Sequence, residues 1–385
     1  MKKLAIVTSH PIQYNAPLFR LLAERKNIDL KVFYTWGQTE HGFVYDPDFK
    51  KEFKWDIPLL DGYDKEFVEN ISKQPSAGEF KGIKNADIFQ RIDRYNPDAL
   101  LVFGWSFHSH LQVLRRYNGK KKILFRGDSN LLDEKQGVSP KKILRRLFLR
   151  WVYRHIDIAM YTGEANKAYY KVHGVDDTQL VYAGHAVDND RFFDADGVYT
   201  SNAKALRNEL GIAQDELVFL FAGKLEPKKD PGLLIDAFLR LSQHQVRLIM
   251  VGNGVLEQEL KQKAADDSRI VFLGFQNQQQ MPVIYRLGDV FVLPSKGPGE
   301  TWGLCVNEAM ASGRPVIVSD RCGCAGELIS GNGKAFRAGD LHALYNTMLF
   351  FAEHREALVE MGNLSQSMIK SFSFERIAAV TEELI

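Results

Sequence analysis

Several things are scarce or missing in this chain of 385 residues. It has three cysteines, Cys305, Cys322 and Cys324, with no Cys-x-x-Cys among them. So sparse and odd a set excludes a disulfide framework and a Cys-x-x-Cys metal or redox motif, and predicts reduced thiols in a cytoplasmic protein. No window reaches about 18 consecutive apolar residues, which excludes a transmembrane helix. The short apolar run behind Met1-Lys2-Lys3 stops at Ser9-His10-Pro11, so it reads as a first strand and not a signal peptide. There is no repeat of fixed period and no low-complexity tract. Charge of one sign is lacking too: 50 Lys and Arg face 48 Asp and Glu, for a formal net charge of +2. What is present is ordinary for a globular protein, 45% hydrophobic and 25% charged, enough core for two domains of about 150–200 residues.

Short apolar runs alternate with helical patterns along the whole chain, which predicts an α/β fold with parallel sheets. The most informative stretch follows the predicted strand Asp289 to Leu293. A Gly- and Pro-rich loop runs from Pro294 to Gly303, and a helix from Leu304 to Ser312, stopped by Gly313-Arg314-Pro315. Glu300 lies in the loop and Glu308 inside the helix. A helix N-terminus presents free N–H groups and partial positive charge, which suit a phosphate. The junction Glu300-Thr301-Trp302-Gly303-Leu304 can therefore hold a phosphorylated ligand between two carboxylates that bind hydroxyls. Upstream, the apolar strand Val218 to Ala222 leads into Gly223-Lys224-Leu225, with Lys229 five residues beyond Lys224. Ligands of open α/β sheets bind at carboxyl strand ends, where two lysines can neutralise a diphosphate. A solvated basic loop is the plainer alternative for them.

Gly223-Lys224-Leu225 with Lys229, Val251-Gly252-Asn253-Gly254, and Glu300 to Glu308 followed by Ala309 to Ile317 resemble family 4 of the retaining glycosyltransferases, the group 1 transferases. The resemblance is strongest over about residues 215–340. It implies a GT-B fold: two Rossmann-like, doubly wound parallel-sheet domains facing a central cleft. It implies that Glu308 binds the ribose of a nucleotide sugar and Glu300 the donor sugar. Backbone N–H groups near Gly303 and Leu304, with Lys229, would hold the diphosphate. Lys224 stands where many members have arginine, which keeps the charge without the planar fork. The base would lie near Phe275. The lysines and the helix N-terminus would stabilise the leaving diphosphate with no metal and no further cofactor. The pair also fits a transferase better than a hydrolase. A retaining glycosidase holds its carboxyls about 5–5.5 Å apart, whereas eight helical residues span about 12 Å.

The N-terminal half reads as a companion domain. The strand Lys3 to Thr8 leads into the loop Ser9 to Asn15, with Asn15 a predicted N-cap and Pro17 in the first turn. Many relatives carry two glycines in this loop; this chain has none, and His10 offers a polar contact to donor or acceptor or serves as loop filler. At another strand end, relatives place a histidine near the donor sugar, where this chain has Arg126 and Asp128. These are catalytic candidates or an internal ion pair that fixes the loop. His108 and His110, two apart, diverge on a helix and do not suggest a shared metal. The aromatic and charged loop Trp36 to Trp55 is a candidate acceptor surface.

Between Arg115 and His155 there are thirteen Lys and Arg against three Asp and Glu. The predicted helix 140–154 carries Lys142, Arg146, Arg150 and Arg154 at i, i+4 spacing, with Leu144, Leu147, Phe148 and Trp151 elsewhere on its surface. It is either an outer helix whose apolar side packs inward or a surface for an anionic membrane. No nucleic-acid motif accompanies the charge. The expected domains are 1–185 on the acceptor side and 186–373 on the nucleotide-sugar side, with the helix 374–385 packing back onto the first. The implied activity is transfer of a hexose from a nucleoside diphosphate sugar to a glycan or lipid-linked acceptor. The setting would be synthesis of surface polysaccharide (lipopolysaccharide or capsule) or glycolipid, in the cytoplasm or at the inner membrane face. A nucleotide-sugar epimerase of the same fold and a non-catalytic nucleotide-sugar-binding protein are the alternatives.

Overall fold

The computed structural model describes residues 1–36, 43–46, 51–134, 137–241 and 245–385. In chain order the strands are β1 (Lys2–Thr8), β2 (Ile28–Tyr34), β3 (Phe43–Asp46), β4 (Lys51–Lys54), β5 (Asp64–Phe67), β6 (Ala99–Phe103), β7 (Lys122–Arg126), β8 (Ile158–Tyr161), β9 (Leu180–Tyr182), β10 (Leu217–Ala222), β11 (Val246–Val251), β12 (Ile270–Leu273), β13 (Val290–Leu293), β14 (Val316–Ser319) and β15 (Gly333–Phe336). They form a seven-stranded sheet, a six-stranded sheet and the small sheet β3-β4. The chain divides into two compact units. Unit 1 comprises Met1–Val44, Ile57–His185 and Phe374–Ile385; unit 2 comprises Tyr45–Asp56 and Ala186–Ser373.

Unit 1 is built on the order β5-β2-β1-β6-β7-β8-β9 with every neighbouring pair parallel. Unit 2 is built on β12-β11-β10-β13-β14-β15, again all parallel. Parallel strands need crossover helices on both faces, so their central members are apolar without alternation. Leu217 to Ala222 is buried at every position, and so is Val290 to Leu293.

Each sheet winds outward from its centre in one direction and then returns to wind in the other. The reversal falls between β1 and β6 in unit 1 and between β10 and β13 in unit 2. At such a reversal the loops leaving two adjacent strands diverge and open a crevice at the carboxyl ends. In unit 2 the loops concerned begin at Gly223 and Pro294.

Two local expectations change. Asn15 is the N-cap of the helix Ala16–Arg25 by position, but its side chain makes no cap bond. The turn is closed instead by the N–H groups of Asn15 and Ala16 on the Ile12 carbonyl, at 3.1 and 3.0 Å. The helix Pro140–Tyr153 buries Leu149, Val152 and Tyr153, while Ile143, Leu144, Leu147 and Phe148 are exposed. The inward-packing reading of Leu144, Leu147 and Phe148 is therefore wrong, because the covered side is the other one. Half of the Trp36 to Trp55 loop, residues 37–42 and 47–50, lies outside the described residues, and the rest includes β3 and β4.

The last helix, Phe374–Glu383, is part of unit 1. It lies against the helix Ala16–Arg25, where the Arg25 guanidinium donates to both Glu382 carboxylate oxygens at 2.7 and 2.8 Å. Asn27 donates to the same carboxylate at 2.9 Å. Phe374, Ile377, Ala378 and Thr381 form its buried side.

Candidate active site

In unit 2 two strand-end loops lie side by side, and glycine makes this possible. Gly252 has φ +127, and a Cβ there would come within 2.1 Å of the Gly223 carbonyl oxygen; at Gly254 it would meet the Leu225 carbonyl at 2.4 Å. The loops are laced by Gly223 N–H on Val251 O at 3.0 Å and Leu225 N–H on Asn253 O at 2.9 Å. The bare Gly223 leaves room for the stem of Lys229, whose Cδ would lie 3.3 Å from a Cβ at that position. Lys229 thereby folds back over the β10 end, and its Nζ meets Glu300 Oε2 at 2.7 Å.

Glu300 comes from the neighbouring strand end. Ser295 Oγ donates to the same Oε2 at 3.0 Å, and the Ser319 hydroxyl in turn holds the Ser295 carbonyl. Burial alone would push the Glu300 carboxyl up; the charge and hydrogen bond of Lys229, with the Ser295 bond, outweigh it and hold it below its ordinary value. Burial likewise opposes the Lys229 ammonium, and Glu300 more than offsets it, leaving the lysine pKa raised. The crevice at the sheet reversal therefore contains a cation and an anion, each stabilised by the other.

The helix Leu304–Ala311 starts directly beyond. Its N-cap is Gly303 at φ +98, a backbone state that a side chain disfavours, and a Cβ there would also press on Leu293 Cδ2 at 3.0 Å. Trp302 is buried and its indole donates to Asn307 Oδ1 at 2.8 Å, which fixes the entry of the chain into the helix. Thr301 and Trp302 also back onto the following loop. The Cys324 N–H bonds Trp302 O at 3.1 Å, and a Cβ at Gly323 would sit 1.8 Å from Thr301 O. Leu304 and Cys305, in the first turn, are half-buried.

Glu308, one turn on, is 2% exposed. Tyr285 donates its hydroxyl to Glu308 Oε2 at 2.7 Å, and Arg191 Nη2 lies 3.9 Å from Oε1. Sequence reading missed Tyr285 and Arg191, which come from two other helices of unit 2. Cys305 lies within the electrostatic reach of Lys229, Glu300 and Glu308 together, which places all three around the first turns of this helix. Its thiol is pushed up by burial, so the lowering that a helix N-terminus could bring does not occur. Phe275 follows β12 and is half-buried, its N–H on Asn253 Oδ1 at 2.7 Å. Lys224 is half-buried in the loop after β10. In two of the Asp-x-Asp triplets, 188–190 and 194–196, the first carboxylate binds backbone: Asp188 accepts from the Arg191 N–H, and Asp194 from the Tyr199 and Thr200 N–H groups.

The unit 1 candidates form separate groups. His10, on the loop after β1, accepts or donates at Nδ1 with Ser9 Oγ at 3.0 Å and meets the Trp36 ring edge-on. Burial lowers its pKa. Arg126 is buried at the end of β7, and its guanidinium donates to the carbonyls of Ala183 and Gly184 at 2.6 and 3.3 Å. Those bonds tie the β9 end to β7 and give the arginine a structural task. Burial lowers its pKa to about 10. His185 is beside Arg126 and Asp128, with a pKa lowered to about 3 by burial, so its imidazole is neutral near pH 7. In the sequence, position 185 is only the last residue of the first expected domain. His110 is buried and bonded to Thr35 Oγ1 at 2.9 Å and Phe103 O at 2.9 Å, a packing role.

Comparison with known proteins bears on the family and the fold. Residues 202–368 match the family model described as "Glycosyl transferases group 1". A D-inositol 3-phosphate glycosyltransferase of Mycobacteroides abscessus is 30% identical over 193 residues, 48% of this chain and 41% of that protein. The first curated relatives are matched over 30–55% of their own length, less than two thirds. Sucrose-phosphate synthase from Thermosynechococcus elongatus superposes with a TM-score of 0.74 at 18% identity, covering 100% of this chain and 98% of the other. Anabaena HepE in complex with UDP and glucose superposes at 0.73 and 18% identity, covering 100% and 99%. The fold is α/β and GT-B, with two parallel-sheet Rossmann-like units.

Proposed function

We propose that this chain, whose residues 202–368 belong to the group 1 glycosyl transferases, transfers a sugar from a nucleoside diphosphate sugar to a hydroxyl of a glycan or lipid-linked acceptor. The observation that carries this reading is the Lys229–Glu300 pair at the strand reversal, directly before the helix Leu304–Ala311. A donor diphosphate is held by Lys229, Lys224 and the N–H groups at Gly303 and Leu304. Glu300 accepts from hydroxyls of the donor sugar, and Glu308, set by Tyr285, from those of the ribose. Phe275 lies beside the base. Thr301 and Trp302 fix the start of the helix. In unit 1, His10 and Asp128 serve the acceptor side.

In the reaction the bond from the anomeric carbon to the diphosphate oxygen breaks, and a bond to the acceptor oxygen forms. The acceptor proton is released, and the nucleoside diphosphate departs as an anion. Lys229 and the helix N-terminus stabilise that anion as it develops, a role a metal fills elsewhere. We propose metal independence on this basis, and retention of anomeric configuration from the resemblance to family 4. The product fits surface polysaccharide or glycolipid synthesis, and the free thiols of Cys305, Cys322 and Cys324 suit a cytoplasmic setting. UDP-sugars are the first donors to try, since HepE was solved with UDP and glucose.

Thermal unfolding with UDP-, GDP-, ADP- and TDP-sugars tests the donor site. A ligand at 100 times its dissociation constant adds about 2.7 kcal/mol. One nucleotide class should raise the midpoint in the wild type. No shift with any class refutes the reading. Product analysis then separates the alternatives: conversion of the nucleotide sugar without acceptor or nucleotide release would make the protein an epimerase, and binding with neither transfer nor hydrolysis would make it a binding protein.

A further inference from the structure

The helix Pro140–Tyr153 presents its apolar ridge to solvent. Leu144 is 67% exposed, Leu147 57%, Ile143 47% and Phe148 41%. At 100° per residue these four, with Trp151, occupy one continuous arc of the helix, and Leu149, Val152 and Tyr153 occupy the opposite, covered side. Single exposed apolar residues are common; four neighbours on one ridge are a patch that marks an interaction surface. Val138, just before the helix, and Val172, across from it, are exposed as well.

Cations border the ridge on both sides. Lys141 and Arg145 lie along one edge and Arg150 along the other, all exposed. Arg146 and Lys142 are half-buried and anchor the helix through Glu134, at 3.3 and 3.1 Å. Arg146 and Arg150, with Ile143, Leu147 and Val172, line a groove beside the helix. Arg115 stacks on the far ring, Trp151, at 5.4 Å.

We propose that this face docks on an anionic lipid bilayer, with Leu144, Leu147, Ile143 and Phe148 inserted at the acyl boundary and the bordering cations on lipid phosphates. An acidic protein or a nucleic acid would satisfy the charges but leave the aliphatic ridge in water. A neutral apolar partner would leave the cations without anions. Only a surface with negative headgroups above hydrocarbon matches both bands. Among the described residues no helix is long and apolar enough to cross a membrane, so the contact is interfacial. The inference does not depend on the transferase reading, although it would bring the enzyme to a lipid-linked acceptor.

Flotation of the full chain with vesicles tests it, using phosphatidylcholine alone or mixed with phosphatidylglycerol. The chain should float only with the anionic vesicles and be released by salt. Leu144→Glu with Leu147→Glu should abolish flotation; Lys141→Gln and Arg145→Gln should each weaken it about fivefold. These positions are exposed, so thermal midpoints and the donor-induced shift should stay at wild-type values, which keeps a failed donor assay distinct from a failed vesicle assay. Absence of flotation at low salt overturns the proposal. So does binding that survives the two Glu substitutions, which would make the face a purely electrostatic anion site. A dimer that dissociates on those substitutions, with vesicles unbound, would assign the ridge to a second copy and overturn it equally.

Discussion

Replacing Lys229 with methionine separates the two roles of its pairing with Glu300. In the wild type the side chains are 13% and 10% exposed and 2.7 Å apart. Removing one partner of such a pair leaves a charge in a poorly solvated place, which costs about 3–5 kcal/mol. The pH dependence gives the sharper test. The wild-type Glu300 carboxyl titrates below its ordinary value, so its stabilisation is present above pH about 4.3 and lost as pH falls through the lower folded value. Lys229 titrates above its ordinary value, so its share is lost only as pH rises beyond about 10.4. Near neutrality the pair therefore contributes no slope. Without Lys229, burial dominates and the carboxyl rises above its unfolded value. The variant should then gain stability as pH falls from 7 to 5, by up to about 1.4 kcal/mol per pH unit. Urea unfolding at both pH values reads this directly. Lys229→Met with Glu300→Leu should recover most of the loss and the flat profile. Turnover in Lys229→Met should fall about 10²–10³-fold, from lost leaving-group stabilisation. A variant as stable as the wild type, or one with an unchanged difference between pH 7 and pH 5, would refute the argument.

Other outcomes follow from single contacts. Glu308→Gln should remove the donor-induced rise in melting midpoint while folding normally; an undiminished rise would take Glu308 out of the ribose site. Arg126→Met should destabilise by about 2–4 kcal/mol in urea, since two buried carbonyls lose charge-assisted bonds, with donor binding unaltered. Loss of turnover at unchanged stability would restore it as a catalytic candidate. Gly323→Ala forces a Cβ to within 1.8 Å of Thr301 O, so it should weaken donor affinity at least tenfold by calorimetry; wild-type affinity would show that the junction tolerates displacement. Activity should persist after chelation and dialysis, and loss restored by a divalent cation would end the metal-free proposal.

The fold was legible because parallel sheets covered on both faces need unbroken apolar strands, and Leu217 to Ala222 and Val290 to Leu293 are such runs. The Lys229–Glu300 approach was half legible. Each residue could be placed at a strand end, but only the sheet order makes those ends neighbours, and Gly223 gives the lysine its path. The partners of Glu308 were not legible, since Tyr285 and Arg191 arrive from distant segments with no local signature. The bonding of Arg126 was hidden for a related reason. A charged residue at a strand end suggests chemistry, and nothing nearby in sequence reveals that its acceptors are the carbonyls of residues 183 and 184. For the helix 140–153, periodicity fixed where the leucines sit around the axis. It could not say which side the rest of the unit covers.

The Arg25–Glu382 clasp bears on the order of assembly. Unit 2 is continuous from Ala186 to Ser373 apart from one short excursion, whereas unit 1 draws on segments from both sides of it. On a ribosome, residues 1–185 emerge first but cannot bury the face of the helix Ala16–Arg25 that receives Phe374, Ile377 and Ala378. That face stays open to water, and to chaperones, through the synthesis of some 190 intervening residues. The unit that starts first is thus completed last, and the newest stretch of chain closes the oldest.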